Sequence, residues 1–173
     1  MKRQKRYVIV IGIVLILAAF AAGIYVAPAF NPEIASAVEQ TEERQSTAGL
    51  LPANISIDRT AVFLTHACRT VTFEVTEDQA FSISHGIEGS VSTRPLTHDI
   101  FRDVLDNFAI KVLQIKIDRF EDDVYKAKMV LKQGDKILEI DMRPSDAIAL
   151  ATRMGRILYV SEDVMNTRSI KVC

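Results

Sequence analysis

The sequence has only two cysteines, Cys68 and Cys173, too few for the disulfide framework of a small secreted scaffold. They are left either as one bridge between the early part of the domain and its last residue or as two free thiols. His66 and Cys68 lie close together, but no paired Cys or His motif accompanies them, which argues against a zinc site. Positive charge is also scarce where it would matter for general nucleic-acid capture. From Gly49 onward the chain holds 16 basic and 18 acidic residues, so no domain-wide basic field exists, and any nucleic-acid site must be local. The common catalytic strings are missing as well. There is no phosphate-cradling glycine loop with its Lys, no paired-His helix, no Gly-flanked nucleophilic Ser and no Cys-x-x-Cys, which lowers the odds for most common enzyme classes.

What the chain does have begins with an apolar run. Residues 8–30 carry no charged side chain, and about 20 apolar residues suffice for a helix to cross a bilayer. Lys2, Arg3, Lys5 and Arg6 precede the run, while Glu33, Glu39, Glu42 and Glu43 follow it. The bias of basic residues toward the cytoplasm then places residues 1–7 inside and the rest of the chain outside. A single-pass membrane location follows, with 8–30 as an anchor. The rival is a cleaved signal peptide ending near Ala27-Pro28-Ala29; its apolar core would be unusually long, and both readings export the domain. Residues 31–48 are polar and acidic, as suits a flexible linker. The domain occupies 49–173.

Within the domain, residues 61–65 and 71–75 are β-branched and aromatic, which predicts paired strands. Thr76 and Gln79 have the spacing of a capping box, opening a short helix that ends near Gly86 or Gly89. Thr97 is placed to cap a second helix reaching about Phe108, with Ile100, Phe101, Val104, Leu105 and Phe108 expected on its core face. Three alternating segments follow: Leu113/Ile115/Ile117, Tyr125/Ala127/Met129/Leu131 and Leu138/Ile140/Met142. Their short acidic or Gly-containing connections predict an antiparallel β-meander. Ser145 is placed to cap an apolar helix from Asp146 to about Met154, stopped at Gly155. A strand over 157–160 and a last short helix opened by Ser161 complete the pattern. The expected class is α+β: an antiparallel β-meander packed with helices, preceded by one N-terminal transmembrane helix.

Two segments carry the interesting chemistry, Arg94-Pro-Leu-Thr-His-Asp99 and Asp141-Met-Arg-Pro-Ser-Asp-Ala147. Each sets Arg-Pro before a helix with an Asp in its first turn. Helix capping and dipole chemistry alone account for such a pattern. The same segments, with Tyr125-Lys-Ala-Lys-Met-Val-Leu131 between them and Ile157-Leu-Tyr-Val160 after them, resemble the bifunctional nuclease domain family. Gln79-Ala-Phe-Ser-Ile83 is similar to that family's Glu-Ala helix, with Gln where Glu is usual. Thr72-Phe-Glu-Val-Thr76 departs from the family's usual signature.

The resemblance implies cleavage of RNA and DNA, hence nucleic acid as partner. Phosphodiester hydrolysis needs neutralised phosphate charge, an activated water and a protonated leaving group. Physical reasoning gives His98, Asp99 and Asp146 as catalytic candidates, Arg94 and Arg143 as phosphate-binding candidates, and Asp99 with Asp146 as ligands for a divalent metal, Mg or Mn. The plain alternative for Asp146 is an Arg143–Asp146 lock on a buried helix, and Asp103 and Asp106 are expected to be merely solvated. The competing function is a non-catalytic extracytoplasmic binding or oligomerisation module on the same fold, and a homo-oligomer is expected. The two differ in whether the Arg-Pro motifs meet at an open surface or are packed away.

Overall fold

A computed structural model describes residues 47–173. The expected basic tail, the anchor and nearly all of the linker lie outside the described residues. Among the described residues, no helix is long and apolar enough to cross a membrane.

Eight strands form one mixed sheet: β1 (Leu50–Asp58), β2 (Ala61–His66), β3 (Arg69–Glu74), β4 (Lys111–Glu121), β5 (Val124–Gln133), β6 (Lys136–Met142), β7 (Leu158–Ser161) and β8 (Ile170–Lys171), in the spatial order β6-β5-β4-β7-β1-β2-β3-β8. Among the described residues four helices are interleaved: α1 (Glu77–Glu88), α2 (Thr97–Asn107), α3 (Pro144–Arg153) and α4 (Glu162–Arg168). The expected meander is present as β4-β5-β6. The sheet is larger than the meander, however, and is not wholly antiparallel. β7 lies parallel to β4, with Ile115 opposite Leu158, and antiparallel to β1. Parallel neighbours need a crossover, and here β5, β6 and α3 together supply it. β1, which joins the two halves of the sheet, was not among the expected strands, although Leu51, Ala53, Ile55 and Ile57, which pack on the core, alternate with Pro52, Asn54, Ser56 and Asp58.

Rings on distant strands meet. Phe73 on β3 and Tyr125 on β5 have centroids 5.2 Å apart, and Phe120 lies edge-on to Tyr125. The sheet therefore curls so that its two halves share a core, and α4 reaches both β3 and β4 with Arg168 over the Phe120 ring. Val62, Leu64, Val71, Ile115, Ile117, Met129, Leu158 and Val160 fill the interior. At roughly 1.5–3 kcal/mol per fully buried large side chain, this packing is the main source of stability.

Local expectations met different fates. The Thr76–Gln79 capping box forms, and Gly89 ends α1 in the left-handed region. Ser161 caps α4 by accepting from the Val164 N–H. Thr97 does not cap α2; the cap position is Leu96, whose N–H donates to the Asp99 carboxylate at 2.8 Å. Nor does Ser145 cap α3. Arg143 takes that position, and Pro144 opens the helix, where its missing N–H costs nothing.

The face assignment of α2 is corrected. Leu105 is buried and Phe101 partly so, but Ile100, Val104 and Phe108 are exposed and Asp99 faces inward. Asp99 gains buried partners by this rotation, which apolar periodicity does not register. Leu113 is also exposed. A bulge between Val112 and Gln114 breaks the alternation, so that Gln114 and Ile115 are both buried. Leu138 is exposed because β6 is an edge strand, and only Ile140 and Met142 pack partly against the core.

Candidate functional site

α3 is buried nearly all round. Ala147, Ile148, Ala149, Leu150 and Ala151 are all covered, with α1 and α2 on one side and β4, β5 and β7 on the other. Any polar group on this helix must find a partner. Asp146 does so in its first turn. Arg143 grips it with both arms of a fork, Nε to Oδ2 at 2.8 Å and Nη2 to Oδ1 at 2.9 Å. The expected Arg143–Asp146 lock is therefore present, but it is not hidden: the Arg143 side chain is 68% exposed.

The two helix starts converge on this pair. His98, in the first turn of α2, places Nε2 at 3.3 Å from Asp146 Oδ1, and its Nδ1 lies 2.9 Å from Ser82 Oγ on α1. With Asp146 ionised, Nε2–H donates to the carboxylate and Nδ1 accepts from the Ser82 hydroxyl. That network assigns the tautomer. Burial pushes the His98 pKa below its ordinary range, with the Arg153 and Arg143 charges acting in the same direction; the Asp146 hydrogen bond opposes this without cancelling it. Burial pushes the Asp146 carboxyl up, but Arg143 and His98 outweigh burial and hold it below the usual carboxylate range.

A second polar link lies deeper. Arg153, the last residue of α3, donates from Nε to Asp99 Oδ1 at 2.7 Å and from Nη1 to the Ser82 carbonyl at 2.8 Å. Both side chains of this ion pair are covered, at 2% and 4% exposure. Burial raises the Asp99 carboxyl, yet the Leu96 N–H and Arg153 together bring it below the ordinary value. Ser82 thus belongs to both links, by its hydroxyl to His98 and by its carbonyl to Arg153. Close approach of α1 and α3 makes this possible. Gly86 lies against Thr152 and Arg153 where a Cβ would collide with the Thr152 side chain.

The structure brings His98, Asp146 and Arg143 together and turns Asp99 away toward Arg153. Arg94 is exposed and, among the described residues, has no ion pair or hydrogen bond. Asp103 and Asp106 are exposed, as expected. Arg102 pairs with Asp103 rather than with Asp99 or Asp106. Among the described residues, no three His, Cys, Asp or Glu side chains gather as a metal site. Asp99 and Asp146 each spend both carboxylate oxygens on other partners, so as they stand they do not offer a divalent ion a shared set of free oxygens. Sequence reasoning missed Ser82 and Arg153. Arg153 had a signal, since a charged residue ending an otherwise buried helix needs a buried counter-charge. Ser82 had none.

Residues 62–173 match the bifunctional nuclease domain. Uncharacterised proteins of Mycobacterium tuberculosis, from strains CDC 1551 / Oshkosh and H37Rv, are each 29% identical to this chain over 89 residues, which cover 51% of it and 52% of theirs. The chain spans about half the length of these curated relatives. The domain match covers well over half of the sequence and takes in both Arg-Pro motifs, the meander and α3, so the chain belongs to the bifunctional nuclease domain family.

Proposed function

We propose that this domain hydrolyses phosphodiester bonds in RNA or DNA through His98, Asp146 and Arg143. One observation carries the reading: a hydrogen-bonded series Ser82–His98–Asp146 ends beside a well-exposed arginine. The hydroxyl, the neutral imidazole and the carboxylate form a proton-transfer relay whose open end is Asp146. Ser82 is buried and fixes the imidazole through Nδ1, His98 Nε2–H orients the carboxylate, and the attacking water gives its proton to Asp146 beside Arg143. The proton returns by the same route to the leaving oxygen. Arg143, whose Nη1 makes no bond to Asp146, and the exposed Arg94 neutralise the phosphate. Asp99 and Asp146 share no free oxygens with which to hold a divalent ion as they stand. For a divalent ion to join, Arg143 must swing off Asp146.

The test is cleavage of single-stranded and duplex RNA and DNA by the purified full chain, with Mg²⁺, with Mn²⁺ and with EDTA. His98→Ala, Asp146→Asn and Arg143→Ala proteins, with folding checked by circular dichroism, run beside it. Cleavage lost in a folded His98→Ala protein supports the relay. Equal activity in all variants, or none in a well-folded wild type, overturns it. Loss of cleavage in EDTA, restored by Mg²⁺ or Mn²⁺, brings the divalent ion into the proposal.

The placement of the protein is part of the same reading. A membrane anchor at 8–30 with the domain outside is supported by the charge step across that run and by the Cys68–Cys173 disulfide, since such bonds persist in oxidising compartments. A second reading, a non-catalytic binding or oligomerisation module, is favoured by one feature. Ile100, Val104 and Phe108 make an exposed apolar stripe at successive turns of α2. A homo-oligomer formed through that stripe is compatible with either activity.

A further inference from the structure

The C-terminal halves of α2 and α3 and the start of β4 line a half-open cavity of about 400 Å³, within the size range of small-molecule sites. Its wall carries Arg102, Lys111, Arg153 and Arg156 with one carboxylate, Asp106; Arg102 is paired with Asp103 and Arg153 with Asp99, which leaves Lys111 and Arg156 as its unpaired cations among the described residues. Ile110 and Met154 supply an apolar side. The helix dipole explains basic residues near the end of α3, but not Lys111, which is on a strand. Lys111 also stands directly opposite Lys132 of β5, and like charges in that position are destabilising. Among the described residues, Lys111, Lys132 and Arg156 have no carboxylate within salt-bridge distance. Arg153 adds a buried donor with no protein acceptor: its Nε and Nη1 are committed, and its Nη2 is not.

We propose that this cavity binds a phosphate ester of mononucleotide size. The dianionic head sits between Lys111 and Arg156, and the flat body lies against Ile110 and Met154. Cations around an apolar wall suit a ligand with one strongly charged end, and Arg and Lys are the usual phosphate donors. The site uses none of His98, Asp146 or Arg143, and it holds whether or not the domain cleaves nucleic acid.

The test is calorimetric titration of the purified full chain with adenosine 5′-monophosphate, adenosine and inorganic phosphate. Arg153 is left intact because it holds Asp99, and a Lys111→Ala/Arg156→Ala protein is compared with wild type, since both side chains lie at the surface. A Lys111→Gln protein serves if the double variant does not fold. The nucleotide is expected to bind, phosphate about tenfold or more weakly, and adenosine not measurably. The double variant is expected to lose at least about tenfold in nucleotide affinity, since each lost charged hydrogen bond is worth roughly that factor. No binding of the nucleotide, binding undiminished in the variants, or equal binding of adenosine or of phosphate alone overturns the proposal. Nucleotide held instead at the His98 site appears as undiminished binding, so this failure is separate from any failure of the hydrolysis reading.

Discussion

Removing the Asp99 carboxylate tests the buried half of the polar framework. In Asp99→Ala the Arg153 guanidinium stays covered and loses its counter-charge, and the Leu96 N–H loses its acceptor. Breaking a buried pair by deleting one partner costs about 3–5 kcal/mol, because the remaining charge is desolvated and unpaired. With a urea m-value of about 2 kcal/mol/M, a loss of about 4 kcal/mol moves the unfolding midpoint down by roughly 2 M. Asp103→Ala is the matched control. Its partner Arg102 is at the surface, and exposed pairs contribute only about 0–1 kcal/mol. The double variant Asp99→Leu/Arg153→Met removes both charges and is expected to recover most of the loss. Equilibrium urea denaturation followed by circular dichroism reads all three proteins. A loss under about 1 kcal/mol in Asp99→Ala, or a double variant no better than the single, refutes the claim that this pair is a buried lock.

Gly86→Ala raises helix propensity by about 1 kcal/mol, yet it is expected to destabilise by about 1–3 kcal/mol because the new methyl meets the Thr152 side chain; thermal melts check this, and Thr152→Ala restores part of the loss. Cys68→Ser opens a loop of 105 residues and is expected to cost about 2–5 kcal/mol, measured beside the reduced wild type, which behaves the same way. Acidification destabilises the domain in two stages. His98 has a folded pKa below its ordinary value of about 6.5, so the unfolded chain takes up that proton first and stability falls from about pH 6.5 down to the folded value. Asp99 and Asp146, held below about 3.9, contribute stability above that pH, and it is lost as pH falls through their lower folded values. Urea midpoints between pH 7 and 3 follow both stages; His98→Asn removes the first, and a wild type more stable at pH 5.5 than at pH 7 contradicts the assignment.

Much of the fold was legible because local chemistry and tertiary demand agreed. Thr76 with Gln79, and Ser161, cap the helices they were expected to cap, since such caps act within one turn. The meander was readable because β5 alternates cleanly and the turns have short acidic or Gly-containing loops, Asp122 and Asp123 both taking positive φ. The two Arg-Pro motifs named both helix starts and put His98, Asp146 and Arg143 on the candidate list. What those residues touch was decided elsewhere. Asp99 and Asp146 look equivalent in sequence, each an acid in the first turn after Arg-Pro. Only packing sends one inward to Arg153, 54 residues away, and leaves the other at the surface beside Arg143. The rotation of α2 that exposes Ile100, Val104 and Phe108 follows from that buried pair and overrides apolar spacing. Ser82 gives no sign in sequence, since its role exists only where α1 meets α2 and α3. Short-range patterns specify the elements, while the closing of α1 over α3 at Gly86 and the curling of the sheet decide which polar groups lose water and must find one another.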